Sequence, residues 1–292
     1  MSTVSTYAGA SPSAIEHHYD VSNDFYELWL DDSLSYSCAL WDLDDPTDTL
    51  ERAQVRKLDH MIEGARAPGA ARVLDIGCGW GALLDRLVSV HGVEHAVGLT
   101  LSPAQAGCVN ARGDARLDVR VENWADHVAP EPYDAIISIG AFEHFASFGL
   151  PRAEREAAYR RFFTHCRDLL RPGGRLALQT NLKGNNVRLD RATVAELKFI
   201  ADTVFPESEI PWMSEIARSS EKLFDVVSAR NDPEHYARTC AEWYRRLMSN
   251  RERAVALVGE RVVDDYERYL SSTVRHFDAR HLGLARIVFT RV

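Results

Sequence analysis

The chain has 292 residues, 46% of them hydrophobic, enough apolar material for a full core in one large domain or a domain with a cap. A net charge of -9 leaves no general basic surface, which argues against nucleic acid as the partner. Cys38, Cys78, Cys108, Cys166 and Cys240 form no Cys-x-x-Cys pair, so neither a disulfide framework nor a metal site is expected.

Residues 1–14 are polar and lack the apolar core of a signal peptide, so they read as a flexible N-terminus. No apolar run reaches membrane-spanning length, and the expected compartment is the cytoplasm. The stretch from Ile15 to Leu30 is dense in aromatics and reads as a helix that packs on the domain or forms a lid. Hydroxyls alternate with apolar residues from Leu34 to Trp41, and Leu50 to Ile62 reads as an amphipathic helix ending before the break at Pro68-Gly69. The stretch Arg72 to Gly81 then reads as a strand followed by a glycine loop, and Ala82, Leu83, Leu84, Leu87 and Val88 continue it at helical spacing. A Gly-x-Gly-x-Gly spacing differs from the dinucleotide-binding Gly-x-Gly-x-x-Gly. Asp75, just before Gly77 and Gly79, can face an ammonium group, which suggests S-adenosylmethionine (SAM).

Strands are expected at His95–Leu99, Asp118–Glu122, Tyr133–Ile139 and Arg175–Thr180. Ser102 and Pro103 open one intervening helix, another spans about Arg152 to Leu170, and Arg171-Pro-Gly-Gly174 reads as a turn. Such alternation implies a parallel, doubly wound sheet, with ligands at the carboxyl ends of its strands. Asp75, Thr100, Asn123, Trp124, Glu143 and Gln179 lie at those ends. Beyond them, Val187–Val204, Asp232–Leu247 and Arg253–Phe277 read as helices, Phe205–Trp212 as irregular, and Leu223–Ala229 and Leu284–Arg291 as strands.

Several separate motifs then agree. They are His18-Tyr-Asp-Val-Ser-Asn-Asp-Phe25, Tyr36-Ser-Cys38, Leu74-Asp-Ile-Gly-Cys-Gly-Trp-Gly81, Gly98-Leu-Thr-Leu-Ser102 with Gln105, and Ser138-Ile-Gly-Ala-Phe-Glu-His144. Phe205-Pro206 with Ile210-Pro211 and His235-Tyr-Ala-Arg-Thr239 follow. Together they resemble the cyclopropane fatty acid synthase and mycolic acid methyltransferase family. The resemblance implies a Rossmann-like class I methyltransferase α/β fold over residues 15–292, with a helical lid at 15–70, a cofactor-binding core at 71–182 and acceptor-pocket helices with closing strands at 183–292.

It also implies SAM as the cofactor. Tyr36 and Ser37 would hold its methionine end, Asp75, Gly77 and Gly79 its amine and sulfonium side, and Thr100, Leu101 and Gln105 its ribose. Trp124 would lie on the adenine, with Ile139 also against the cofactor. Family members hold bicarbonate with a cysteine, a glutamate, a histidine and a tyrosine. Cys38, Glu143 and Tyr236 match, but Gln179 stands where the histidine would be and cannot carry a proton. Thr273 replaces a cysteine of the mycolic acid enzymes, and the segment after Gln179 looks shorter than theirs. Glu143 either caps the next helix or acts as a base, with His144 as the rival base. Tyr19, Phe142 or Tyr236 would stabilise a carbocation by cation–π contact. The expected reaction is C-methylation of an alkene or another electron-rich carbon in a lipophilic small molecule, without ring closure. Cyclopropane formation and N-methylation of an amine are the alternatives.

Overall fold

The computed structural model describes Gly9 and residues 22–292. Residues 15–21, Tyr19 included, and the N-terminal stretch other than Gly9 lie outside the described residues. Seven strands form one sheet: β1 (Arg72–Ile76), β2 (His95–Thr100), β3 (Leu117–Val121), β4 (Tyr133–Ile139), β5 (Leu170–Lys183), β6 (Phe224–Asn231) and β7 (Leu282–Arg291). Their spatial order is β3-β2-β1-β4-β5-β7-β6. Neighbours from β3 through β5 pair in parallel, as expected, but β7 runs antiparallel to both β5 and β6.

The helices before β7 explain that reversal. Helices α8 (Pro233–Ser249), α9 (Arg251–Val258) and α10 (Glu260–Asp278) follow β6, and α8 packs along α10. This helical hairpin returns the chain to the end of the sheet where β6 stopped, so Asp232 N–H donates to Leu284 O at 2.8 Å. A strand entering from that end must run against its neighbours.

The earlier helices are α1 (Asn23–Glu27), α2 (Leu50–Gly64), α3 (Ala82–Ser89), α4 (Pro103–Asn110), α5 (Arg152–Leu169), α6 (Arg191–Phe199) and α7 (Met213–Ser220). Successive strand residues face opposite sides of the sheet. Val73 joins the core beneath Leu58, Leu83 and Leu87 of α2 and α3, while Leu74 joins Tyr159, Phe162 and Phe163 of α5. Both faces are therefore covered. A third, aromatic core gathers Phe25, Tyr26 and Trp29 of the α1 segment with Trp243 and Tyr266 of α8 and α10. No helix among the described residues is long and apolar enough to cross a membrane.

Four local readings change. Arg171–Gly174 turns within β5 rather than ahead of it: Tyr133 pairs with Leu170 and Ala135 with Arg175, so these four residues bulge out of the ladder, with Gly173 at φ +73°. The helix expected from Val187 begins at Arg191, where Asp190 caps it, and continues as a π-helical turn, Ile200–Val204. Helix α7 was not expected, because Pro211 and Trp212 obscure its start. The helix expected over Arg253–Phe277 is two helices, broken at Gly259 with φ +85°. That conformation disfavours a side chain, and no atom lies within 4 Å of a Cβ built at Gly259. Gly259→Ala should therefore cost about 1 kcal/mol by backbone strain alone, measurable by chemical denaturation.

Candidate active site

The carboxyl ends of β1, β2, β3 and β4 open into one cavity, roofed by the Leu34–Ser37 loop and by α2. Its wall includes Tyr36, Ser37, Asp75, Gly77, Gly79, Thr100, Leu101, Gln105, Trp124 and Ile139, so the structure brings all ten expected cofactor residues together. The loop after β1 holds Gly77 at φ +87° and Gly79 at φ +53°. At Gly77 a Cβ would sit 2.5 Å from the Ala141 Cβ. Gly77→Ala should consequently weaken binding of S-adenosylhomocysteine (SAH) by more than about tenfold and destabilise the fold by about 1–3 kcal/mol. Calorimetry and thermal unfolding read the two effects.

The polar groups of this cavity fit SAM. Thr100 Oγ1 donates to Gln105 Oε1 at 2.7 Å, which leaves the Gln105 amide nitrogen as a donor. Ser102 caps α4 by accepting from Gln105 N–H at 3.3 Å, fixing where that side chain begins. Trp124 packs against Phe145 at 5.0 Å and Phe162 at 5.4 Å while also lining the cavity, so it is at once a core residue and part of the wall. Asp75 is 2% exposed and its carboxyl accepts no hydrogen bond from the described residues. Burial pushes it up to about 7, against the pull of Lys57. A cofactor ammonium would satisfy it.

A second cavity of about 390 Å³ lies beside the first, between the sheet, α6, α8 and α10. Tyr36, Gly140 and His144 line both cavities and so form the partition across which a methyl group would pass. Apolar and aromatic side chains dominate the wall, among them Leu197, Ile200, Phe205, Tyr236, Tyr269 and Phe277. Glu143 lies in this wall at 6% exposure. Its Oε1 accepts from Asn181 N–H at 2.7 Å, whereas its Oε2 is buried without a partner among the described residues. It does not cap α5, whose N-cap is Pro151. Burial pushes the Glu143 carboxyl up to about 7, partly opposed by the Asn181 N–H. Burial also drives His144 down to about 4, and His144 Nδ1 sits 2.7 Å from Ser208 Oγ. Thr273 lines the cavity with a buried Oγ1 that has no partner among the described residues.

Cys38 and Gln179, expected beside Glu143 and Tyr236, do not line either cavity. Both sit at a buried guanidinium, Arg286 of β7, which faces Gln179 directly in the β5–β7 ladder. Arg286 Nε donates to Gln179 Oε1 at 2.8 Å, Nη1 to Asp232 Oδ2 at 2.8 Å, and Nη2 to Ala39 O at 2.9 Å. Gln179 Nε2 donates to Cys38 O at 3.2 Å, and Arg286 Nη2 approaches Cys38 Sγ at 3.4 Å. Burial pushes the Cys38 thiol up to about 11, so it is neutral at physiological pH. With two of its four expected holders turned to Arg286, this arrangement does not fit a bound bicarbonate. Phe142, expected at the cavity, stacks instead on Tyr159 at 4.6 Å within the core.

Sequence reasoning missed three polar residues that matter here. Arg286 and Lys57 are each 2% exposed, and Glu122 lines the cofactor cavity and pairs with His127 at 3.0 Å. Lys57 had a legible signal, a lysine amid the apolar spacing of α2. Asp232, Glu234 and His235 also approach one another closely enough to offer metal ligands, but Arg286 holds Asp232, and His235 Nδ1 accepts from Trp41 N–H at 3.0 Å.

Known proteins match this architecture over nearly its whole length. The sequence model of the family described as mycolic acid cyclopropane synthetase covers residues 9–287. Cyclopropane mycolic acid synthase 2 of Mycobacterium leprae (strain TN) is 34% identical over 95% of this chain and 93% of its own. The S-adenosylmethionine-dependent methyltransferase UmaA of Mycobacterium tuberculosis (strain ATCC 25618 / H37Rv) is 33% identical over 89% of this chain and 90% of its own. Mycolic acid cyclopropane synthase CmaA1, solved with SAH and CTAB, superposes with a TM-score of 0.87 at 31% identity, covering 97% and 99% of the two chains. Glycine loop, partitioned cavities and these matches agree: the chain belongs to the mycolic acid cyclopropane synthetase family and is a SAM-dependent methyltransferase.

Proposed function

We propose that this methyltransferase adds a methyl group to an alkene or another electron-rich carbon of a lipophilic small molecule, with Glu143 assisting proton removal and no ring closed. An isoprenoid, a polyketide or another secondary metabolite has the required chemistry. One observation carries the reading: the Oε2 of Glu143, without a partner among the described residues, in an aromatic cavity whose partition is shared with the cofactor cavity. When bound, SAM supplies an electrophilic methyl group on its sulfonium. The wall offers the acceptor a mainly apolar surface, and the rings of Tyr236, Tyr269 and Phe205 can each stabilise a neighbouring cation by about 1–2 kcal/mol. Glu143 Oε2 is free to take the proton, while Oε1 stays anchored to Asn181. Tyr236 has no hydrogen-bond partner among the described residues for its hydroxyl and can orient a polar group of the acceptor.

The names of the relatives favour a second reading, cyclopropane formation on an acyl chain. Loss of Cys38 and Gln179 from the cavity wall speaks against it. Incubation with isotopically labelled SAM and either prenyl or monounsaturated acyl acceptors, followed by NMR, separates the readings. Both products gain the same mass, but a methylated alkene keeps vinyl carbon signals, whereas a cyclopropane replaces them with high-field ring protons. Ring signals from an acyl substrate would overturn the proposal, and an N-methyl signal from an amine would move the acceptor atom to nitrogen.

A further inference from the structure

Helix α2 turns two polar side chains inward, Gln54 at 1% exposure and Lys57 at 2%. Gln54 Nε2 donates to the carbonyls of Ser35 and Ser37 at 3.1 and 2.9 Å, so it clamps the loop that carries Tyr36 and Ser37 to the cofactor cavity. Lys57 does something else. Its Nζ donates to Ser37 Oγ at 2.9 Å and lines the cofactor cavity alongside Asp75. An ammonium has three donors, and Lys57 makes one hydrogen bond to the described residues. Burying such a group is costly unless an anion accompanies it. Asp31, Cys38, Asp75 and Arg286 are the charged or titratable groups that face it, and burial still pulls it down to about 8. Asp75, at the same end of the cavity, is a buried carboxyl that accepts no hydrogen bond from the described residues.

Asp31 and Arg286 stay outside the wall, so this end of the cavity is lined by one cation and one anion, each short of hydrogen-bond partners among the described residues. An α-amino acid carries the complementary pair. We propose that Lys57 binds the α-carboxylate at the methionine end of SAM, with Ser37 Oγ beside it and Asp75 on the ammonium. The inference rests on SAM as the cofactor and not on the identity of the acceptor. Lys57 is then the residue that makes the enzyme demand an intact amino acid on its cofactor.

The experiment is calorimetry of the purified enzyme with SAH and with 5′-methylthioadenosine, which keeps the adenosine and thioether but lacks the amino acid. For Lys57→Met, SAH affinity should fall about 10- to 100-fold, the range of a charge-assisted hydrogen bond. Affinity for 5′-methylthioadenosine should stay within about threefold, so discrimination between the two ligands shrinks by the same factor. Lys57→Arg should recover part of the SAH affinity. An equal loss for both ligands would make Lys57 a prop for the loop and overturn the proposal, as would unchanged SAH binding. Wild-type enzyme supplies a test that needs no variant: decarboxylated SAM, which keeps the amine, should bind at least about tenfold more weakly than SAM. Equal affinity for those two would overturn it as well.

Discussion

Glu143→Gln should lower kcat by about 100- to 10,000-fold, the usual contribution of a positioned base, while SAH affinity stays within about threefold. The amide oxygen can still accept from Asn181 N–H, so the loop after β5 keeps its anchor and the lost element is basicity. Glu143 lines the acceptor cavity and not the cofactor cavity, which is why binding of SAH should persist. The pH profile identifies the base. Burial places the Glu143 carboxyl near 7, so activity should climb as the pH rises through 7 and the carboxylate forms. Were His144 the base, its position near 4 would leave the profile flat across that range. Stability moves the other way. Glu143 is neutral in folded and unfolded chains below about pH 4.5, and the folded protein resists ionising it until about pH 7. Its burial therefore costs stability progressively across that window, and the cost is complete above pH 7. Glu143→Gln should accordingly melt about 5 °C higher than wild type at pH 8. Loss of turnover together with a gain in stability is the signature of a residue placed for chemistry.

The largest effect on stability is expected from Arg286→Met. The guanidinium is 2% exposed and bonds β5, the turn after β6, and the backbone of the loop that carries Tyr36 and Ser37. Removing it leaves the Asp232 carboxylate, with a side chain 8% exposed, beside no comparable cation among the described residues. Arg230 also reaches Asp232 at 3.2 Å, but its side chain is 50% exposed and solvent screens that pair. Breaking a buried pair from one side typically costs about 3–5 kcal/mol. For a chain of 292 residues that lowers the melting temperature by roughly 5–8 °C. Adding Asp232→Asn should restore more than half of the loss, because the second change removes the stranded charge. A single-variant loss no larger than that of an exposed arginine, read by thermal unfolding, would show that the network carries little. SAH affinity should also fall in Arg286→Met, since Ala39 and Cys38 follow Ser37 directly and share its anchor.

Much of the cofactor site was legible because its residues lie in short contiguous motifs at strand ends. Asp75, Gly77 and Gly79 follow one apolar run, and Thr100, Leu101 and Gln105 follow another. A period-2 or all-apolar strand next to a helix-period segment determines which end of the strand a loop occupies, and in an alternating α/β chain those ends converge. Backbone chemistry was readable for the same reason, as at Ser102 and Pro103, where cap and first turn are neighbours in sequence. Local pattern could not show that three helices bring β7 back antiparallel between β5 and β6. That placement sets Gln179 opposite Arg286, residues 107 positions apart, and turns the glutamine away from the cavity its position in the motif implied. Lys57 is hidden in the same way, because its worth depends on Ser37 and Asp75 arriving from other elements. The sequence by itself therefore determined the sheet's parallel half, the glycine loop and the wall of the cofactor cavity. Tertiary structure alone decided which buried charges are paired and which face a ligand, since burial of a polar group depends on partners that long-range packing supplies.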